Sequence, residues 1–221
     1  MGAVPDQMGG DGGSRDWSDA NADSDGAVLP WPAPRSRIQP ATAFRSTWVV
    51  SSINSLREQG HFERYVALLP DHREELLSSV AGVWLPIAVA RAHYQTCEAL
   101  SLAIDQQIAM GRAVGERARG SWLAPAIRAA RAAGISPWTI LPQLDRLWRR
   151  AANGGAAAVF RMGPKEARAE IVGCELLDIP YFRQGMRGVL LALGELFSRK
   201  SYVHETRSGR AGEAILRMQW V

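Results

Sequence analysis

From Ser46 onward apolar residues recur every three or four positions. Val49, Val50, Ile53 and Leu56 form the first set, and Gly60 closes it. Phe62, Tyr65, Val66 and Leu69 make a second short amphipathic set ended by Pro70. Asp71 and Glu74 have the spacing of a capping box, which predicts a helix through Leu76, Leu77 and Val80 that stops at Gly82. The most apolar stretch, VWLPIAVARAHYQTCEALSLAI, places Pro86 in a first turn. Ile87, Ala90, Tyr94, Cys97 and Leu100 then fall on one face, as in a central buried helix. Two further helices are expected over Ile108–Arg117 and Ser121–Ala133. Another opens at Ser136-Pro137 and carries Trp138, Leu141, Leu144, Leu147 and Trp148.

Asn153-Gly154-Gly155 ends this rhythm. AAAVFRMG and ARAEIVGCEL read as two short strands joined at Gly163-Pro164. IPYFRQGMRGVLLALGELFSRK reads as a long amphipathic helix, and SYVHETRS with EAILRMQWV reads as a closing hairpin. The order predicts an α+β protein, a multi-helix N-terminal half followed by a ββαββ unit with a small antiparallel sheet. A cavity between helices and sheet is then the natural ligand site. Residues 1–44, rich in Gly, Asp, Ser and Pro, are expected to be a disordered acidic tail. One α+β domain is expected over 45–221, with its helical half at 45–153 and its ββαββ half at 154–221.

Charge adds little to this picture. The net charge of +4 divides into −5 over residues 1–28, where six aspartates meet only Arg15, and +9 over the rest. A basic body suggests nucleic acid. Yet the basic residues are nearly all Arg amid abundant Ala, the mark of a GC-rich genome, so nucleic acid is not expected as a partner. No apolar run reaches the roughly 18–20 residues of a membrane span. No secretory signal opens the chain, which gives a cytoplasmic expectation.

The chemistry on offer is sparse. Cys97 and Cys174 are too far apart for a metal-spacing pattern and read as buried thiols. His93 and Cys97 share a helix face and could serve as a soft-metal or haem ligand pair. A core helix with one hydrogen-bonded histidine is the favoured reading. The sequence has no G-x-S-x-G, P-loop or H-E-x-x-H pattern. Arg149-Arg150 and the Arg117 and Arg119 pair fall at helix C-termini, where cations favour the helix dipole. The eight tryptophans stand out. Trp84, His93, Tyr94, Cys97, Trp122, Trp148 and Tyr181 are the candidate pocket residues, chosen by position, and no catalytic or metal residue is assigned.

Five stretches, VWLPIAVARAHYQTCEAL, IAMGRAVGERARGSWLAPAIRAA, SPWTILPQLDRLWRRAANGG, FRQGMRGVLLALGELF and ILRMQW, resemble a myxobacterial paralogous family of unknown function. More distantly, Val49 to Val221 is similar to the superfamily of 4-vinyl reductase-type domains, haem–nitric oxide sensors and vesicle transport-particle subunits. The resemblance implies a pocket between helices and sheet and a role in sensing or scaffolding. Haem sensors of that superfamily use a proximal His and a Tyr-x-Ser-x-Arg motif, and no Tyr-x-Ser-x-Arg occurs here. Cysteines of the vinyl-reductase type are absent from Glu205–Leu216.

The functional expectation is a non-catalytic regulatory or sensory module for a small apolar ligand or a protein partner, with a homodimer open. No cofactor is expected. The alternatives are a nucleic-acid binder using its arginines and a haem or metal sensor using His93.

Overall fold

The helical rhythm and the later alternation both materialise in the computed structural model, which describes residues 26–69, 72–122, 136–206 and 209–221. After β1 (Ala27–Leu29) and β2 (Ala43–Arg45) come α1 (Ser46–Glu58), α2 (Phe62–Leu68) and α3 (Arg73–Ser78). Then follow β3 (Trp84–Pro86), α4 (Ile87–Ala99), α5 (Ile104–Trp122) and α6 (Leu144–Ala151). The chain closes with β4 (Ala156–Gly163), β5 (Glu166–Val172), α7 (Pro180–Gly194), β6 (Ser201–Thr206) and β7 (Glu213–Trp220). The fold is α+β with an antiparallel sheet, and its last third is the ββαββ unit that the alternation predicted.

The sheet runs β1-β4-β5-β7-β6. Its register aligns Ala157 with Ile171 and Ile171 with Ala214, so the small apolar residues of three strands share one face. Val159, Ala169, Leu216, Met218 and Val203 extend that face, and all five are buried. Alternation of this kind is what a sheet covered by helices requires. A separate two-stranded ladder pairs β2 with β3.

Two predicted elements differ: the helix expected through Val80 stops at Ser78, and the one expected from Ser136 is α-helical only in part. The helix expected from Ser136 starts as two 3₁₀ turns, Pro137–Thr139 and Leu141–Gln143, and becomes α-helical only at Leu144. Pro142 accounts for this, because its missing N–H cannot donate to an earlier carbonyl. The capping box loses its test, since Asp71 lies outside the described residues, as does most of the helix expected over Ser121–Ala133. In α3 the residue before the first turn is His72, at φ 58.

The expected tail boundary at residue 44 is also corrected. Residues 1–25 lie outside the described part, but 26–44 are built onto the domain. Ala27 and Leu29 pair with Phe160 and Val159, and the Arg161 N–H donates to the Gly26 carbonyl at 2.8 Å. Gly155 N donates to Gln39 O at 2.8 Å, and Ala41 N donates to Gly173 O at 2.8 Å. A Cβ on Gly154 would lie 2.6 Å from the Pro40 carbonyl oxygen, so the crossing needs the glycine pair. Asn153 Oδ1 accepts from the N–H groups of Thr42 (3.0 Å) and Ala43 (2.6 Å) and locks the segment. Backbone pairing, which composition does not reveal, holds this segment.

Candidate functional site

The cavity is created by the way α5 and α7 cross. A Cβ on Gly111 would stand 2.0 Å from the Gly185 carbonyl oxygen, and one on Gly188 would stand 2.1 Å from the Ile108 carbonyl oxygen. The two backbones touch, as happens where small residues occupy both sides of a helix crossing. Alongside this contact Gly111, Val114 and Gly115 of α5 and Gly185, Met186 and Val189 of α7 turn toward a cavity of about 660 Å³. That volume falls within the roughly 300–1,000 Å³ typical of small-molecule sites. Thr47, Trp48, Ser51 and Ser52 of α1 supply the facing wall. Leu144, Leu147 and Trp148 of α6 and Ile171 of β5 complete it.

At the inner end Phe44, Tyr94 and Phe182 form an edge-to-face cluster. Phe44 and Phe182 have centroids 5.7 Å apart, and Tyr94 and Phe182 have centroids 4.7 Å apart. Aromatic packing of this geometry fixes ring orientations. The Tyr181 hydroxyl donates to Met110 Sδ at 3.0 Å, and the Trp148 indole donates to the Gly154 carbonyl at 2.9 Å. Burial raises the Tyr94 and Tyr181 pKa values well above that of a free phenol, with the neighbouring Cys97 adding to the rise, so both rings stay protonated.

Charge on the lining is one-sided. Arg45, Arg117 and Arg150 line the cavity, and no Asp, Glu or Lys does among the described residues. Arg117 donates to Ser51 O at 3.0 Å and Ser55 Oγ at 2.8 Å and pairs with Glu58. Arg45 donates to Gly82 O at 2.9 Å, with its guanidinium 3.9 Å from the Trp84 ring centroid. Low-dielectric walls focus the field of such cations and favour an anionic guest.

Of the candidates read from sequence, Tyr94, Trp148 and Tyr181 lie on the cavity lining. Trp84 is 41% exposed and lies outside it, stacked with Arg45. Trp122 is the last residue of α5, and its side chain lies outside the described part. His93 and Cys97 sit behind the wall, fully buried. His93 Nδ1 is 2.8 Å from the Tyr65 hydroxyl, and Cys97 Sγ is 3.7 Å from His93 Nε2. Burial lowers the His93 pKa to about 3 and pushes the Cys97 thiol up, so both are neutral. Neutral and fully buried, neither side chain is part of the cavity lining. No cluster of three or more His, Cys, Asp or Glu side chains suited to a metal ion occurs among the described residues. Sequence reasoning missed Met110, Met186, Gly111 and Gly185 as lining residues, did not consider Arg45, and put Arg117 at a helix end, whereas its helix continues to Trp122. The available signal was the Gly111/Gly115 spacing on one helix and Gly185/Gly188 on another.

The fold is similar to that of solved H-NOX domains. The likeness extends to solved H-NOX structures at TM-scores just above one half. An Fe(II) unliganded H-NOX mutant from K. algicida matches at a TM-score of 0.58 and 9% identity, over 80% of this chain and 96% of that one. A mutant of T. Tengcongensis H-NOX matches at 0.56 and 12%, over 80% and 97%. An oxygen-binding H-NOX domain related to soluble guanylate cyclases, solved as its oxygen complex, matches at 0.55 and 12%, over 80% and 94%. No family model and no curated protein matches the sequence. At these identities the likeness shows the fold. It also corrects the expectation of no cofactor: structures sharing this fold come from work on haem distortion in the H-NOX family and on haem redox potential set by porphyrin distortion. No helix among the described residues is long and apolar enough to cross a membrane.

Proposed function

We propose that this chain is a small-molecule sensory module and that its cavity holds a haem-class tetrapyrrole. One observation carries the reading: an apolar cavity of about 660 Å³, lined by three arginines and no acid, within a fold that houses haem in other proteins. Phe44, Tyr94 and Phe182 offer faces for a flat conjugated ring, and the arginines offer partners for its acidic groups. Val114, Val189, Leu190 and Leu193 give the wall an apolar surface.

The lining residues fit the macrocycle and its carboxylates, but they include no imidazole. The alternative ligand read from sequence, His93, faces Tyr65 instead. Haem iron is held elsewhere by His, Cys, Met or Tyr. Among these the cavity offers the Met110 and Met186 thioethers and two phenols that burial keeps protonated. The thioethers need lose no proton to serve. A bound haem supplies an iron centre at which a diatomic gas can bind.

Titration of the purified chain with haemin and, separately, with iron-free protoporphyrin tests the reading. Saturable binding near one porphyrin per chain is expected, with a haemin spectrum that His93→Ala leaves unchanged. Absence of saturable binding in both arms refutes it.

A further inference from the structure

The residue that joins this cavity to the protein surface is Arg45. It ends β2, lines the cavity, and is paired across the ladder with Trp84, the first residue of β3. Its guanidinium makes two contacts outward: Nη1 donates to the Gly82 carbonyl at 2.9 Å, and the plane lies 3.9 Å from the Trp84 ring centroid. Gly82 itself lines the cavity, at φ +99, with nothing within 4 Å of where a Cβ would stand. The loop around it depends on few contacts. The Ser46 hydroxyl donates to Val80 O at 2.7 Å and accepts from Val83 N–H at 2.9 Å, and Ser46 N–H donates to Val83 O at 2.9 Å. The loop turns its apolar side chains outward: Val80 is 66% exposed, Val83 43% and Trp84 41%.

We propose that the cavity selects ligands carrying an acidic group, and that Arg45 reads this group by exchanging the Gly82 carbonyl for it, which releases the Val80–Trp84 loop. The inference rests on the reading of the cavity as a tetrapyrrole site and adds the specificity residue and the route outward. The chemistry follows from the donors. A guanidinium presents a planar fork that a carboxylate fills with two parallel hydrogen bonds between opposite charges, where Gly82 offers Arg45 a single neutral carbonyl. An acid within reach therefore outcompetes Gly82. An ester, lacking the charge, does not. Withdrawal of Arg45 removes both the Gly82 hydrogen bond and the stack on Trp84, leaving the loop on Ser46 and the three-residue ladder. Ligand occupancy thereby becomes a change in an exposed apolar segment, the differential contact that coupling between sites requires.

The test compares protoporphyrin with its dimethyl ester on the unmodified chain, reading affinity by porphyrin absorbance and loop order by amide hydrogen exchange at Val83 and Trp84. The free acid is expected to bind at least about tenfold tighter than the ester and to accelerate exchange at Val83. The ester should bind without that acceleration. In Arg45→Gln the acid should lose its advantage over the ester, and Val83 should exchange fast with no ligand present. Equal affinities for acid and ester, or acid binding that leaves Val83 exchange unchanged or slower, overturn the proposal while leaving the cavity reading standing. Binding of neither compound overturns both.

Discussion

Two glycines three residues apart on α7 should respond to the same substitution with opposite signs. At Gly188 a Cβ would lie 2.1 Å from Ile108 O, 2.5 Å from Arg112 N and 2.9 Å from Gly111 C, all backbone atoms of α5. Nothing there can swing aside, so Gly188→Ala must push the two helices apart. Overpacking of this kind costs about 1–3 kcal/mol or more, against which the better helix propensity of Ala returns only about 1 kcal/mol. At Gly185 a Cβ would meet nothing within 4 Å, because it points into the cavity. Gly185→Ala should therefore gain about 0.5–1 kcal/mol of helix stability at no steric cost. For a chain of this size each kcal/mol moves the melting temperature by about 2–4 °C. Thermal melts of the two variants beside the parent should show Gly185→Ala higher by about 1–4 °C and Gly188→Ala lower by several degrees. A destabilised Gly185→Ala, or a Gly188→Ala indistinguishable from the parent, would refute the close crossing of α5 and α7 and the position of the cavity beside it.

Other outcomes follow from the buried groups. His93 is neutral in the fold, with its pKa lowered from 6.5 to about 3 by burial, so the unfolded chain takes up the proton first. Its contribution is fully present above about pH 6.5 and is lost as pH falls toward 3. Urea melts should show His93→Gln losing about 2 kcal/mol less than the parent between pH 7 and pH 5, and equal losses would contradict the burial argument. Tyr65→Phe removes the hydroxyl that lies 2.8 Å from His93 Nδ1 and leaves a buried nitrogen without its partner. A loss of about 1–3 kcal/mol is expected in chemical denaturation. Asn153→Ala strips the acceptor from Thr42 and Ala43 and should cost about 1–2 kcal/mol. Asn153→Asp keeps the acceptor and should stay near the parent in the same melts.

What the sequence showed and what it hid have separate physical causes. Strand β4 was legible to the residue, as a short apolar run set off by Gly155 and Gly163, and α7 to within about six residues, because its three-to-four spacing reflects which face is buried. Strand β1 was not, because three residues in a Pro- and Gly-rich segment are too few to show a period, although they pair with β4 and pack Val28 and Leu29 on the core. The cavity was foreseen as a place but not as a set of residues. Its lining comes from β2, five helices and the sheet, and part of it is glycines whose role lies in what they lack. His93 and Tyr94 show the limit of reading by position. Adjacent residues on a helix point about 100° apart, so one faces Tyr65 behind the wall while the other faces the cavity. Arg150 could be placed at a helix end from sequence, but Arg117 could not, because its helix runs on to Trp122, and the convergence of both with Arg45 depends on how the helices pack.

The most direct test of the account is a protoporphyrin titration of the parent chain beside Gly185→Phe, with Gly185→Ala as the folding control. The Phe side chain enters the cavity from a position where a Cβ meets nothing, so the fold should survive while the binding volume is filled. The account expects saturable quenching of tryptophan fluorescence in the parent and its loss in Gly185→Phe. Equal binding by a folded Gly185→Phe would place the porphyrin elsewhere and contradict the cavity as the ligand site.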